Sequence, residues 1–497
     1  MSPARQPMTI EQAQPWNSCD SHVVGTQVVT ITRNDVFMVN SLKPREVRVG
    51  HLIEDYSAAY PVQGATLVAD DRGGELQVAY LFESTQSDQP PYQFLRTNEW
   101  FRLNDEDLPK TLLFVDDRGW ITLAGTRVDG ASIGTHPLGR IRASAMIFNR
   151  PRTIQSEYLI QEFRSTIDCL DEFVRFEPVL IEMLGGDSPV KVTIDPAESV
   201  GWSGGGYEYV VHANVAWTGE HGRSFEILDN QPFLQTAREG GATLFSHYRA
   251  QVPIRALLTL VFGTAISWRS HKLRDNEFPM WMLDGSERGP HSVEVQLEAT
   301  VSEHRSPAVS SRATLFPLFR LRDIGAQGMS RWTALYENDD VRRAIEPVVE
   351  VFNGATQFLE PQLMMLAISL DRFGYYRFGD GERRAMREHI EICLDEAALN
   401  WPEIGSTSGI ARAISNLNND LKHPDRPSYP AVDEMGATVG LARVIARAQL
   451  FDLVGADDEL RLRFLKSNDV LNAVHAFTER GIGINDDGAF IRRARPE

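Results

Sequence analysis

The chain has 497 residues and a formal net charge of −18, from 50 Lys and Arg against 68 Asp and Glu. At roughly 100–200 residues per domain, that length predicts two to four domains. Its 42% hydrophobic and 24% charged residues are ordinary for a globular protein. The acidic balance argues against a protein that coats duplex nucleic acid, because that binding is driven by counterion release onto basic surfaces. Any RNA contact must come from a local patch or cleft.

Three cysteines, Cys19, Cys169 and Cys393, lie far apart and form no CxxC pair. That argues against a zinc ribbon or a disulfide framework and fits a reducing cytosol. The first residues, MSPARQPMTIEQAQPW, lack the apolar run of a signal peptide. The most apolar stretch, Ala256–Trp268, is broken by Thr259, Gly263, Thr264 and Ser267. It falls short of the ~20 apolar residues of a membrane span, so a buried helix is expected there. The expectation is a cytoplasmic protein with no membrane association.

Residues 1–20 read as a flexible leader, and 21–310 as a β-rich region of one domain or two joined ones. Val23–Thr32 is rich in β-branched residues. The runs 65–69 and 75–82 flank Asp70-Asp71-Arg72-Gly73-Gly74 and read as a hairpin. Trp120–Ala124 follows the related turn Asp116-Asp117-Arg118-Gly119, and 190–194 and 207–217 are further strands. In 291–301, Val293, Val295, Leu297, Ala299 and Val301 alternate with polar residues, the pattern of a half-buried antiparallel strand. A helix is expected over about 247–266, with Leu257, Leu258, Val261 and Phe262 forming its apolar stripe. Gly204-Gly205-Gly206 reads as a flexible loop rather than a phosphate cradle. Trp100, Phe101, Trp268 and Trp281 are read as core residues.

Beyond Pro307 the texture becomes helical, with a boundary near 310–330. Segments 341–352, 356–373, 382–399, 409–422, 432–454 and 457–466 predict a bundle over 330–497. In the second of them Leu359, Leu363, Leu366 and Leu370 recur every three or four residues. The fold class is therefore α+β, a β-rich region followed by an all-α bundle.

The chemistry concentrates in GIARAISNLNNDLKHPDRP, residues 409–427. On a helix, Ile410, Ile414, Leu417 and Leu421 form the buried stripe. Arg412, Asn416, Asn419 and His423 fall on the opposite side. Pro424 disfavours helical conformation at His423, so the helix should end there. A helix C-terminus stabilises a protonated imidazole, a useful setting for acid–base work.

Asn418 to His423 resembles the R-x(4–6)-H motif of HEPN ribonucleases, with His423 as the histidine and Asn419 as the polar residue. Asn418 stands where the family has arginine. The layout is similar to that of the ApeA-type anti-phage family, through 156–176 (SEYLIQEFRSTIDCLDEFVRF) and 252–263 (VPIRALLTLVFG) in the β-rich region. The stretch 357–373 is similar to the first HEPN helix, with Asp371 where an acidic residue is common.

The resemblance implies a metal-independent, cofactor-free endoribonuclease directed at RNA, tRNA first, and acting in abortive infection. Its active site would lie in a homodimer or higher homo-oligomer, with the β-rich region sensing a phage-derived trigger. His423, Asn419 and Asn418 would be catalytic. Lys422 or Arg426 would supply the missing cation, and Arg412 only from a partner subunit, since it sits about 16 Å from His423 along the helix. Two other readings stay open: an inactive HEPN-like module for dimerisation or RNA binding, and a ligand- or carbohydrate-binding β domain on a helical scaffold. His389, with no second histidine at i+4, is read as structural. No Walker, GxSxG or Rossmann signature occurs.

Overall fold

The computed structural model describes residues 8–9, 40, 42–53, 63–79, 100–101, 108–132, 137–151, 158–183, 190–195, 197–220, 224–229, 231–282, 284–290, 292–305, 316–379, 381–423, 425 and 430–493. The fold is mixed α+β, with a β-barrel in the N-terminal region and a C-terminal region of helices. Among the described residues, no helix is long and apolar enough to cross a membrane.

Six strands make the barrel: β1 (Val47–Ile53), β2 (Gln63–Asp70), β3 (Gly73–Ala79), β4 (Thr111–Asp116), β5 (Gly119–Ser132) and β6 (Leu138–Phe148). Each pairs antiparallel with its neighbours in the ring β6–β3–β2–β1–β4–β5–β6, which closes on itself. The two DDRG turns explain both tight corners. In each, the backbone N–H of the arginine donates to the first aspartate (Arg72 to Asp70 and Arg118 to Asp116, both 2.9 Å). In each, the glycine takes a positive φ, 116° at Gly73 and 123° at Gly119, that a side chain would strain. The same aspartates anchor buried arginines: Arg142 holds Asp70 at 2.5 Å and Arg48 holds Asp116 at 2.5 Å. Burial alone would raise both carboxyls, but the guanidinium hydrogen bonds prevail and hold them below the usual range. Leu52, Leu67, Val78, Phe114, Ile121 and Phe148 fill the interior.

Strand β6 serves two sheets. Its first half pairs with β3 (Glu75 opposite Arg142), and its end pairs with a strand of the second sheet (Val295 opposite Ile147). That sheet comprises β7 (Leu159–Ile167), β8 (Ser199–Gly204), β9 (Tyr207–His212), β10 (Phe233–Thr243), β11 (Trp268–Arg274) and β12 (Val293–Leu297), in the order β8–β9–β10–β7–β11–β12. Helix α1 (Leu244–Phe262) packs on it, capped by the Thr243 hydroxyl and ended by Gly263 in the left-handed region.

Several sequence expectations change here. The run 207–217 is not one strand but two, 207–212 and 216–220. The alternation from 293 stops at Leu297, because the chain turns into a 3-10 turn and then a short helix. Ala299 is therefore exposed and Thr300 buried. Glycines 205 and 206, at φ 57° and 75°, form the two-residue corner between β8 and β9 rather than a loose loop. Met8 and Thr9, in the expected leader, pair with Ile194 and Thr193. The expected strand 23–32 lies outside the described residues. Trp100 and Trp268 are core residues, as read.

The helices are α2 (Leu321–Tyr336), α3 (Asp339–Phe352), α4 (Leu359–Phe378), α5 (Met386–Glu396), α6 (Thr407–Lys422), α7 (Val432–Ala448), α8 (Leu450–Val454), α9 (Asp458–Leu465) and α10 (Asn468–Thr478). A hairpin, Ile482–Ile484 with Phe490–Arg492, follows them. Helices α2 and α10 were not expected from the sequence. Leu363, Leu366 and Leu370 are buried as their spacing requires. One hydrophobic core crosses the expected 310–330 boundary: Trp202, Leu257 and Trp268 of the sheet layer share it with Trp332, Val348, Leu366 and Ile414. The barrel keeps a core of its own.

Beneath α1 runs a buried chain of hydrogen bonds. The Ser165 hydroxyl donates to Gln251 Oε1 (2.6 Å) and therefore accepts from His271 Nδ1 (2.8 Å). Gln251 Nε2 donates to the Phe163 carbonyl (3.0 Å) and to the Thr236 hydroxyl (3.2 Å). Thr236 meets His247 Nδ1 at 3.1 Å, and His247 Nε2 donates to the Ile160 carbonyl at 3.2 Å. His271 Nε2 lies 3.0 Å from the Thr300 hydroxyl. Both imidazoles are satisfied as neutral rings by hydroxyl and carbonyl partners. Burial pushes His247 down to about 4 and His271 well below its usual value of 6.5.

The sign follows from linkage. Between pH 6.5 and the lowered values, the unfolded chain binds protons that the folded chain refuses, so stability falls as pH falls. Urea unfolding should show a loss of about 2 kcal/mol from His247 between pH 7 and pH 5, with a further loss in the same direction from His271. A His247→Gln variant should show a visibly shallower pH slope; an unchanged slope would rule out a neutral buried His247.

Candidate functional site

Helix α6 is fixed at its N-terminal end by the C-terminal hairpin. Ser406 caps the helix, accepting from Gly409 N–H at 3.1 Å, and its hydroxyl donates to Asp486 at 2.6 Å. Glycines 405 and 409 are required there, since a Cβ would lie 2.6 and 2.5 Å from the carbonyl oxygens of Ile484 and Asn485. Arg412 belongs to this end: it pairs with Asp487 of the same chain at 3.7 Å. Asn416 donates to the Asp487 carbonyl at 3.4 Å. Neither residue is brought to His423.

Ile410, Ile414 and Leu417 are buried, as the apolar stripe requires, and Leu421 is half-buried at the fraying end. The helix stops at Lys422. His423 is its C-cap, in extended conformation (φ −116°, ψ 90°), with its N–H on the Asn419 carbonyl at 3.0 Å. This is the ending that a following proline imposes. His423 and Lys422 are exposed, and Asn419 is half-buried beside them. Pro424 and Arg426 lie outside the described residues.

Asn418 departs from its expected role. It is 1% exposed, on the flank of the apolar stripe, one turn after Ile414. Its Nδ2 donates to Met386 Sδ of α5 at 3.4 Å, and its buried Oδ1 has no hydrogen-bond partner among the described residues. At about 100° per residue, position 418 is turned away from 419 and 423 and toward the neighbouring helix. Asn418 thus does not reach the surface that His423 occupies. An arginine at this position, as the family pattern has it, would place its stem in the α5–α6 interface.

The other side of α5, against α4, holds a pair that sequence reasoning set aside. Asp371 of α4 accepts from His389 Nδ1 of α5 at 2.7 Å. His389 is buried, with the rings of Tyr375 and Phe378 at 6.1 and 5.7 Å. Gly374 allows this approach, since a Cβ there would come within 2.4 Å of His389 backbone atoms. The carboxylate fixes the Nδ1–H form of the ring, and Nε2 is buried without a partner among the described residues. Asp371, the acidic residue of the first HEPN-like helix, thus partners His389, the histidine read as structural. The spacing of Asp371 and His389 carried no signal, since they meet only across a helix crossing.

Among the described residues, no group of three or more His, Cys, Asp or Glu is gathered so as to hold a metal ion. No family model, curated protein or solved structure matches the chain.

Two substitutions separate the buried role of Asn418 from a surface one. Asn418→Leu removes an unpaired buried oxygen and should leave stability unchanged or raise it. Asn418→Arg recreates the family motif but buries a cation without a partner, and should cost about 3–5 kcal/mol in chemical denaturation. A stable Asn418→Arg protein would show that the side chain escapes to the surface.

Proposed function

We propose that the helical region is a HEPN-type endoribonuclease, with tRNA as its first substrate to test, held under control by the β-rich region. The observation that carries this reading is the exposed His423 imidazole at the end of α6, with Lys422 and Asn419 beside it. In the reaction, the ribose 2′-oxygen attacks the adjacent phosphorus and the bond from phosphorus to the 5′-oxygen breaks. His423 transfers a proton to or from these oxygens, Lys422 offsets the charge on the phosphorane, and Asn419 positions the phosphate. The chemistry needs RNA, because DNA lacks the 2′-hydroxyl. Pairing of two chains would bring two His423 groups to one cleft, one for each proton transfer.

The burial of Asn418 favours a second reading, a module that binds RNA or dimerises without cutting. It removes the residue at the family's arginine position from the surface and leaves Lys422 as the described cation beside His423.

Incubation of the full chain and a His423→Ala variant with total tRNA in EDTA decides between them. The nuclease reading expects fragments from the wild type and a loss of about 100-fold or more in the variant. RNA retained equally by both proteins, with no fragments from either, would replace it with the binding module.

A further inference from the structure

Helix α1 has unusual fastenings at its two ends. Along its first half, His247 and Gln251 are tied into the sheet by the buried chain through Thr236, Ser165 and His271. Its last turn is held by the helical region. The carbonyls at a helix C-terminus lack intrahelical donors and carry partial negative charge. Here Gly263 N–H satisfies Thr259, and Arg447 of α7 reaches the next two: Nε donates to the Leu260 carbonyl and Nη2 to the Val261 carbonyl, both at 2.8 Å, the latter also accepting from Leu318 N–H at 3.0 Å.

The third nitrogen of the same guanidinium, Nη1, pairs with Asp469 in the first turn of α10. Arg447 is 5% exposed. A flat fork with three separate donors is what the site uses, and lysine could not reproduce it. Gly263 completes the fit: its φ is 64°, and a Cβ there would lie 2.8 Å from the guanidinium carbon. One side chain therefore joins α1, α7 and α10 at a point where the sheet layer meets the bundle.

We propose that α1 is a connecting rod, pinned to the second sheet by the Ser165–Gln251–His271 network and latched to α7 by Arg447. A disturbance of the sheet then reaches α7, whose opposite end begins at Val432, just past the His423 connection. For its bearing on RNA cleavage this inference rests on the ribonuclease reading; the rod and latch do not.

Hydrogen exchange on the full chain tests it, with Ser165→Ala as the disturbance at the sheet end. The expected result is exchange about fivefold faster in 432–448 when Arg447 is present. In an Arg447→Met background, Ser165→Ala should still loosen α1 while leaving 432–448 unchanged. An effect confined to α1 and the sheet in the wild type overturns the rod. An equal effect on 432–448 with and without Arg447 overturns the latch. Should Arg447→Met fail to fold, Gly263→Ala displaces the guanidinium by its Cβ and replaces it in the scheme. Cleavage of tRNA, followed in the same proteins, separates the two readings: its absence in the wild type counts against the ribonuclease and leaves the exchange result standing.

Discussion

The arrangement of the chain rests on a shared apolar core in which α1 faces the second sheet on one side and the helices on the other. Leu257, Leu258 and Val261 are buried between layers that the sequence places in different halves of the protein. Apolar burial of this kind is the main driving term in folding, and it has no directional preference of its own. Direction comes from the polar contacts set within it. Trp332 of α2 donates to the Pro253 carbonyl of α1 at 2.8 Å, and Arg447 occupies the end of the same helix. These contacts define how the bundle is seated on the sheet. The barrel, with a separate core, is joined to this body through the continuation of β6.

Much of the local structure was legible in the sequence. The DDRG turns announced a hairpin at the first barrel corner and a strand after the second, because aspartate and glycine satisfy that corner chemically. The leucines of α4 and the stripe of α6 gave their helices and buried faces. Closure of the barrel was not legible, since it depends on β5 pairing with both β4 and β6, a matter of register between strands. Helix α2 was hidden because Gly325 and Gly328 interrupt its periodicity, and Gly325 is indeed non-helical within it. Position 299 misled because alternation in a sequence persists past the point where the backbone stops being extended.

The candidate site divides in the same way. The position of His423 at the end of α6 could be read from the proline after it, a local constraint on backbone conformation. The fates of Asn418 and His389 could not, because each is decided by a neighbouring helix. A motif aligned residue by residue treats 418 and 419 as adjacent, yet one turns toward Met386 and the other toward solvent. Where a sequence departs from a motif it resembles, the environment of the differing residue carries more information than its chemical type.

The sheet bordering the bundle has one further property. Among the described residues, strand β8 is the last of its sheet and pairs only with β9, so its outer side would ordinarily offer a template for another chain. Helix α2 lies against it. The Ser330 hydroxyl donates to the Ser203 carbonyl at 3.2 Å, and Gly204 has no Cβ that could hold Thr333 away. The helices therefore guard this edge of the β-rich half against pairing with another chain. As the chain emerges during synthesis, that half is complete before its guard is made, which leaves an interval in which self-association competes with docking of α2.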